Sequence, residues 1–234
     1  SGTIPPMNLA DHPLPADTLR AHLDALAARD PDLDLALRRC GYPPPRQRAP
    51  GFATLIQIMV AQQLSTRAAA AIWQRLETRL DSSVTPIRLL ALDDAAFREV
   101  GFSQRKAAYA RAAAEAVVNG DLDLSVLARA PEDEAVALIS RLKGFGRWSA
   151  EIYLLFALGR TDAFPAGDLG IQIGMQRLRG LDNRPNERLT RDLALAWRPL
   201  RGCAAILLWH IYGAATLAGS KQPAAAHPTI QREL

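Results

Sequence analysis

Apolar residues recur at helical spacing along almost the whole chain, and that periodicity decides its fold class. Phe52, Leu55, Ile56, Met59 and Val60 stand at i, i+3, i+4, i+7 and i+8, one face of an amphipathic helix. Ala135, Leu138, Ile139 and Leu142 repeat the pattern, with Pro131 near the helix start, where its missing N–H costs nothing. Asp17 is expected to cap a helix reaching about residue 28, and Asp30-Pro31 to open another. Further helices are expected near 65–80, 103–119, 147–158, 168–178, 187–196 and 200–216. Alternating apolar residues between turn dipeptides, the mark of strands, are missing. The expectation is an all-α protein.

Length permits one large domain or two small lobes sharing a cleft. One lobe is expected from residues 16–50 with the C-terminal helices, and the other from about 51–165. Residues 42–50, Tyr-Pro-Pro-Pro-Arg-Gln-Arg-Ala-Pro, form a stiff basic connection between the first helical pair and the main body. Residues 1–15 and 218–234 are expected to be flexible. No apolar run is long enough for a membrane span: the segment from Cys203 to Gly219 is short and carries His210. No secretory leader is visible, so cytoplasmic residence with the bacterial-type nucleoid is the expectation, with no membrane partner. Cys40 and Cys203 supply neither a disulfide framework nor the ligands of a zinc or iron–sulfur site. The net charge of +4 suits a polyanionic partner without demanding one, and compositional bias towards arginine accounts for it equally well.

The most informative stretch is Leu142-Lys143-Gly144-Phe145-Gly146-Arg147-Trp148-Ser149-Ala150. A helix is expected to end near Leu142, two glycines to turn the chain, and a second helix to start at Arg147, the hairpin spanning 135–158. Unpaired N–H groups and the positive end of the new helix make a place for a phosphate that reads no sequence. By itself, a Gly-x-Gly between helices is more often an ordinary connection. The second helix carries Trp148, Ile152, Leu155 and Phe156 on one face and extends roughly 18 Å. The segment Thr161-Asp162-Ala163-Phe164-Pro165-Ala166-Gly167 can span roughly 24 Å, enough to bring Asp168 back to the hairpin. On local chemistry alone Asp168 is a helix cap.

Together, Gly144-Phe145-Gly146, Trp148 and Pro165-Ala166-Gly167-Asp168 resemble the signature of the helix-hairpin-helix base-excision DNA glycosylases, and within them the DNA-3-methyladenine glycosylase II family. Ala61-Gln62-Gln63-Leu64-Ser65, Gly101-Phe102-Ser103 with Lys106-Ala107, and Trp197-Arg198-Pro199-Leu200-Arg201 leading to Leu207-Leu208-Trp209-His210 agree in order and spacing. The resemblance covers roughly residues 30–216.

The resemblance implies an enzyme that flips a damaged base out of double-stranded DNA and hydrolyses its bond to the sugar. Asp168 would be the catalytic carboxylate that stabilises the developing sugar cation and orients water. Asp162, six residues earlier, is expected to order the loop instead. Gln63, or failing that Gln62, would fill the vacated stack. Gly144, Gly146 and Arg147 would hold phosphate. Trp148, Trp209, Ile152 and Leu169 would form the base pocket, where an aromatic face suits the positively charged 3-methyladenine and 7-methylguanine. Ile152, Leu169 and His210 are less aromatic than the residues some relatives place there, and His210 is expected to be structural. Strand-cutting relatives carry lysine two residues after the second glycine. This chain has Trp148, so no lyase step is expected. The resemblance further implies that the Leu142 and Gly144 carbonyls can hold a monovalent cation structurally. No cofactor is expected, and the chain is expected to act as a monomer. Two alternatives stand beside this: a glycosylase for another damaged or mispaired purine, and a non-catalytic helix-hairpin-helix DNA-binding protein.

Overall fold

A computed structural model describes residues 14–218. Among the described residues thirteen α-helices follow one another: α1 (Ala16–Ala27), α2 (Pro31–Cys40), α3 (Phe52–Ala61), α4 (Thr66–Arg79), α5 (Pro86–Leu90), α6 (Asp94–Val100), α7 (Gln104–Val118), α8 (Leu124–Arg129), α9 (Glu132–Ser140), α10 (Arg147–Phe156), α11 (Leu169–Arg179), α12 (Glu187–Leu193) and α13 (Arg201–Ala218). A 3₁₀ turn, Leu195–Trp197, precedes α13. No strand occurs among the described residues, as the periodicity predicts. None of the described helices is long and apolar enough to cross a membrane.

Helix packing falls into two groups. In one, α11 lies along α13, and α1, α2 and α12 close around them. In the other, α3 packs on α4, α7 and α10, while α5 and α6 pack on α7 and α9 pairs with α10. Every residue of α10 from Ser149 to Phe156 is buried, so the second hairpin helix is also a central core element. Tyr153 ties it to the start of α3, its hydroxyl accepting the Gly51 N–H at 2.9 Å.

Several local expectations are corrected. Helix α1 begins at Ala16 behind Pro15, and Asp17 sits in its first turn without capping it; its charge faces the positive helix end. The expected 187–196 helix breaks into α12 and the 3₁₀ turn. Helices α5, α6 and α8 were not anticipated, because 5, 7 and 6 residues are too few to show a period. Their caps were readable: Thr85 before Pro86, Asp93 and Asp123 each accept backbone N–H bonds. Of the termini expected to be flexible, residues 14, 15 and 218 are described: Leu14 is buried with its carbonyl accepting Gln47 Nε2 at 2.8 Å, Pro15 precedes α1, and Ala218 ends α13.

Asp30 does more than cap α2. Its Oδ2 accepts Arg179 Nη2 at 2.6 Å and the indole N–H of fully buried Trp197 at 2.7 Å, joining α2, α11 and the 3₁₀ turn. Burial works against the charge on Asp30, but the hydrogen bonds from Arg179 and Trp197 and the guanidinium charge outweigh it and hold its pKa below the ordinary value. Asp30→Asn should cost about 1–3 kcal/mol of unfolding free energy at neutral pH, since it removes the anion that Arg179 and Trp197 share and leaves Arg179 paired with Asp32 alone, at 2.6 Å. Because the folded pKa is depressed, that contribution is complete above the ordinary aspartate range and lost as pH falls through the folded value. Denaturant titrations of both proteins should therefore converge in acid. A gap that stays constant with pH contradicts this role.

Candidate active site

The turn between α9 and α10 is built around Gly144, whose φ is +89° and whose missing Cβ leaves room for the Tyr109 ring. A Cβ there would lie 2.1 Å from Tyr109 Cδ2. Helix α9 stops at Ser140, two residues before the expected end, and residues 141–146 form the turn. Gly146 differs from expectation: its backbone is extended and needs no glycine, and a Cβ would meet nothing within 4 Å. What the missing side chain leaves open is the approach to the first N–H groups of α10.

Gln62 is bound to this turn from α3. Its Nε2 donates to the Gly144 carbonyl and to Ser149 Oγ, both at 2.9 Å. Lys106 Nζ donates to the Gln62 carbonyl at 2.9 Å and to that of Val60. Gln63, by contrast, is exposed and held at φ +58°, a left-handed conformation that costs a non-glycine residue energy. The Leu142 and Gly144 carbonyls each accept one hydrogen bond, from Phe145 N and Gln62 Nε2. A cation there would share both oxygens with those donors.

Asp168 caps α11 as local chemistry predicts: its Oδ1 accepts Ile171 N at 3.1 Å. The same carboxylate receives two indoles. Trp209 Nε1 donates to Oδ1 at 2.8 Å and Trp148 Nε1 to Oδ2 at 3.0 Å. Trp148 stands in the first turn of α10 and Trp209 on α13, so the two helix groups meet at one acid. Gly170 permits the closure, since a Cβ would stand 2.9 Å from Trp209 Cδ1 and 3.2 Å from Asp168 Oδ1. The preceding loop is fastened from several sides. Arg201 forks onto Asp162 with bonds of 2.9 and 2.7 Å, Arg191 reaches the Phe164 carbonyl at 3.2 Å, and Gln172 reaches that of Ala166 at 3.1 Å. Asp162 therefore orders the loop. Arg191 also pairs with Glu151 of α10 at 2.9 Å. Burial raises the Glu151 pKa, opposed by Arg191 and Arg147.

Asp168 lies on a cavity of about 420 Å³ at the junction of the two groups, a size ordinary for ligand pockets. Trp148, Ile152 and Phe156, one face of α10, line it together with Trp209. Leu169 is corrected: the residue is 48% exposed and outside the lining, because the first position of α11 faces away while Gly170 and Ile171 turn inward. His210 is structural, its Nε2 bonded to the Cys40 carbonyl at 2.8 Å. Arg147 pairs with Glu151 at 2.9 Å while half of its side chain stays exposed beside the turn.

Among the lining residues that sequence reasoning did not place there are Leu64, Trp73, Arg46 and Arg48. The last two come from the basic connection, which does more than separate helices. Alternate positions of an extended segment face one side, and that was the available signal. Arg46 Cζ stands 5.5 Å from the Trp209 ring centre. Arg48 donates to Gln57 Oε1 from its side chain and to the Phe156 carbonyl, at 2.9 Å, from its backbone.

Comparison with known proteins accords with this geometry. DNA-3-methyladenine glycosylase 1 of Schizosaccharomyces pombe is 32% identical over 161 residues, covering 68% of this chain and 71% of the relative. A solved 3-methyladenine DNA glycosylase of the same yeast, in complex with abasic DNA, superposes with a TM-score of 0.77 at 28% identity, over 86% of this chain and all of that one. DNA-3-methyladenine glycosidase of Bacillus halodurans gives 0.73 at 32% identity, over 84% and 91%. The family described as HhH-GPD superfamily base excision DNA repair protein matches residues 56–199. With that match over most of its length, the chain belongs to the HhH-GPD superfamily of base excision DNA repair proteins.

Proposed function

We propose that this protein is a monofunctional DNA glycosylase that flips an alkylated purine, of the 3-methyladenine or 7-methylguanine type, out of duplex DNA and releases it by hydrolysis. The observation that carries the reading is the Asp168 carboxylate, oriented by two indole N–H groups against an aromatic-lined cavity beside the hairpin turn. As the bond between base and C1′ breaks, its electron pair leaves with the base and positive charge grows on the sugar. A carboxylate fixed by three donors stabilises that charge without reorganising, and it can orient the water that attacks C1′.

The exposed, left-handed turn suits Gln63 to enter the space a flipped nucleotide vacates, whereas Gln62 is committed to the hairpin. The N–H groups at the start of α10, with open space at Gly146 and the exposed part of Arg147, suit a backbone phosphate.

Lysine placement favours hydrolysis without strand cleavage. Trp148 occupies the position of a Schiff-base lysine; neither Lys106 nor Lys143 lines the cavity, and Lys106 is tied to two carbonyls. Lys221 lies outside the described residues. Duplex oligonucleotides carrying one modified base should lose that base and keep an intact strand. Borohydride should trap no enzyme–DNA adduct. A covalent adduct would contradict the monofunctional assignment, and unaltered 3-methyladenine and 7-methylguanine substrates would contradict the glycosylase reading.

A further inference from the structure

The candidate base pocket already holds a cation at its mouth. The Arg46 guanidinium lies 5.5 Å from the Trp209 ring centre, within cation–π range, on the same cavity as Asp168. Among the described residues neither Arg46 nor Arg48 makes an ion pair. The surrounding protein partly desolvates both guanidiniums and lowers their pKa values; Asp168 opposes this at Arg46, and the charge of Arg46 adds to it at Arg48. Arg46 is nevertheless an exposed residue.

A positively charged base entering this pocket needs the aromatic surface that Arg46 overlies. It must displace the guanidinium or bear its repulsion. A neutral modified base meets the same group as a donor fork for its ring nitrogens or carbonyl oxygen. The chemistry of departure runs in the same direction. When a neutral base leaves, the electron pair of the broken N–C1′ bond puts negative charge on it, which a guanidinium stabilises. Water then delivers hydroxide to C1′ and its proton ends on the released base. A cationic base leaves neutral and gains nothing from Arg46, the proton of the attacking water passing to solvent. Arg46 keeps its own protons in both cases.

We propose that Arg46 sets how strongly the site discriminates by base charge, weakening its preference for cationic alkylated bases over neutral ones. This rests on the glycosylase reading above.

The test is a ratio: kcat/KM for 7-methylguanine over that for hypoxanthine, each placed in the same duplex. Any contact of Arg46 with DNA phosphates changes both rates alike and cancels. Arg46→Met should raise the ratio about fivefold, the size of effect left for a charge at a solvent-exposed mouth. Arg46→Lys, which keeps the charge, should hold it within about twofold of the starting protein. A rise of less than about threefold in Arg46→Met, or a fall, overturns the proposal. If that variant does not fold, Arg46→Gln carries the same comparison and thresholds. A base with no detectable release enters at its detection limit. Release of neither base by the unaltered protein defeats the glycosylase reading itself. Release of both with an unmoved ratio defeats only the role of Arg46.

Discussion

Asp168→Asn is expected to lower the rate of base release by about 10²–10³-fold while leaving DNA binding intact or slightly tighter. Both parts follow from the donors around the carboxylate. An asparagine can keep its carbonyl oxygen on Ile171 N and Trp209 Nε1, preserving the α11 cap. Its amide then faces Trp148 Nε1, donor against donor, so the indole loses its acceptor. The cost in stability should be about 1–2 kcal/mol, too little to unfold the protein. What disappears is the negative charge beside the developing sugar cation, and with it the only acid described on the cavity wall. Removing an anion aimed at phosphate-rich DNA does not weaken binding. Single-turnover base release and fluorescence anisotropy on the same duplex separate the two effects. An asparagine protein that releases 7-methylguanine at the normal rate would remove Asp168 from the chemistry.

Gly144→Ala is expected to be the most damaging single methyl in the hairpin. The alanine would have to hold φ near +89° with its Cβ 2.1 Å from a Tyr109 ring carbon. Strain and overlap together should cost about 2–4 kcal/mol. Movement of the turn would also pull the Gly144 carbonyl from Gln62, so DNA affinity should fall with stability. Adding Tyr109→Ala should recover the overlap but not the backbone strain, giving partial rescue. Gly146→Ala supplies the contrast: its extended backbone and open surroundings predict a change within about 0.5 kcal/mol, with loss confined to DNA binding. Thermal unfolding and anisotropy at low salt distinguish these outcomes. Equal stability of the two alanine variants would mean that Gly144 is not required by the turn.

Much of this molecule is legible because its signals are local. Apolar residues repeating through α3, α7, α10 and α13 mark helices, since burial of one face imposes its period on the sequence. Asp30 beside Pro31 marks a start, and Gly144 marks a turn whose need for glycine is steric. Helices α5, α6 and α8 were hidden because fewer than two turns show no period, although their caps were in view. Leu169 shows the converse limit. The family resemblance put it in the pocket, but one residue along a helix turns a side chain by roughly 100°.

By itself, then, the sequence determined the helical class, the hairpin with its glycine, the reach that returns Asp168 to it, and the absence of lysine at position 148. Each depends on neighbours in the chain or on how far a short segment extends. Only the tertiary structure decided that Trp148 and Trp209 share the Asp168 carboxylate, that Gln62 is bound and Gln63 left exposed, and that Arg46 overlies Trp209. Those facts join residues far apart along the chain. Periodicity states which face of a helix is buried but not which face it meets, and that pairing emerges only when all the helices pack at once.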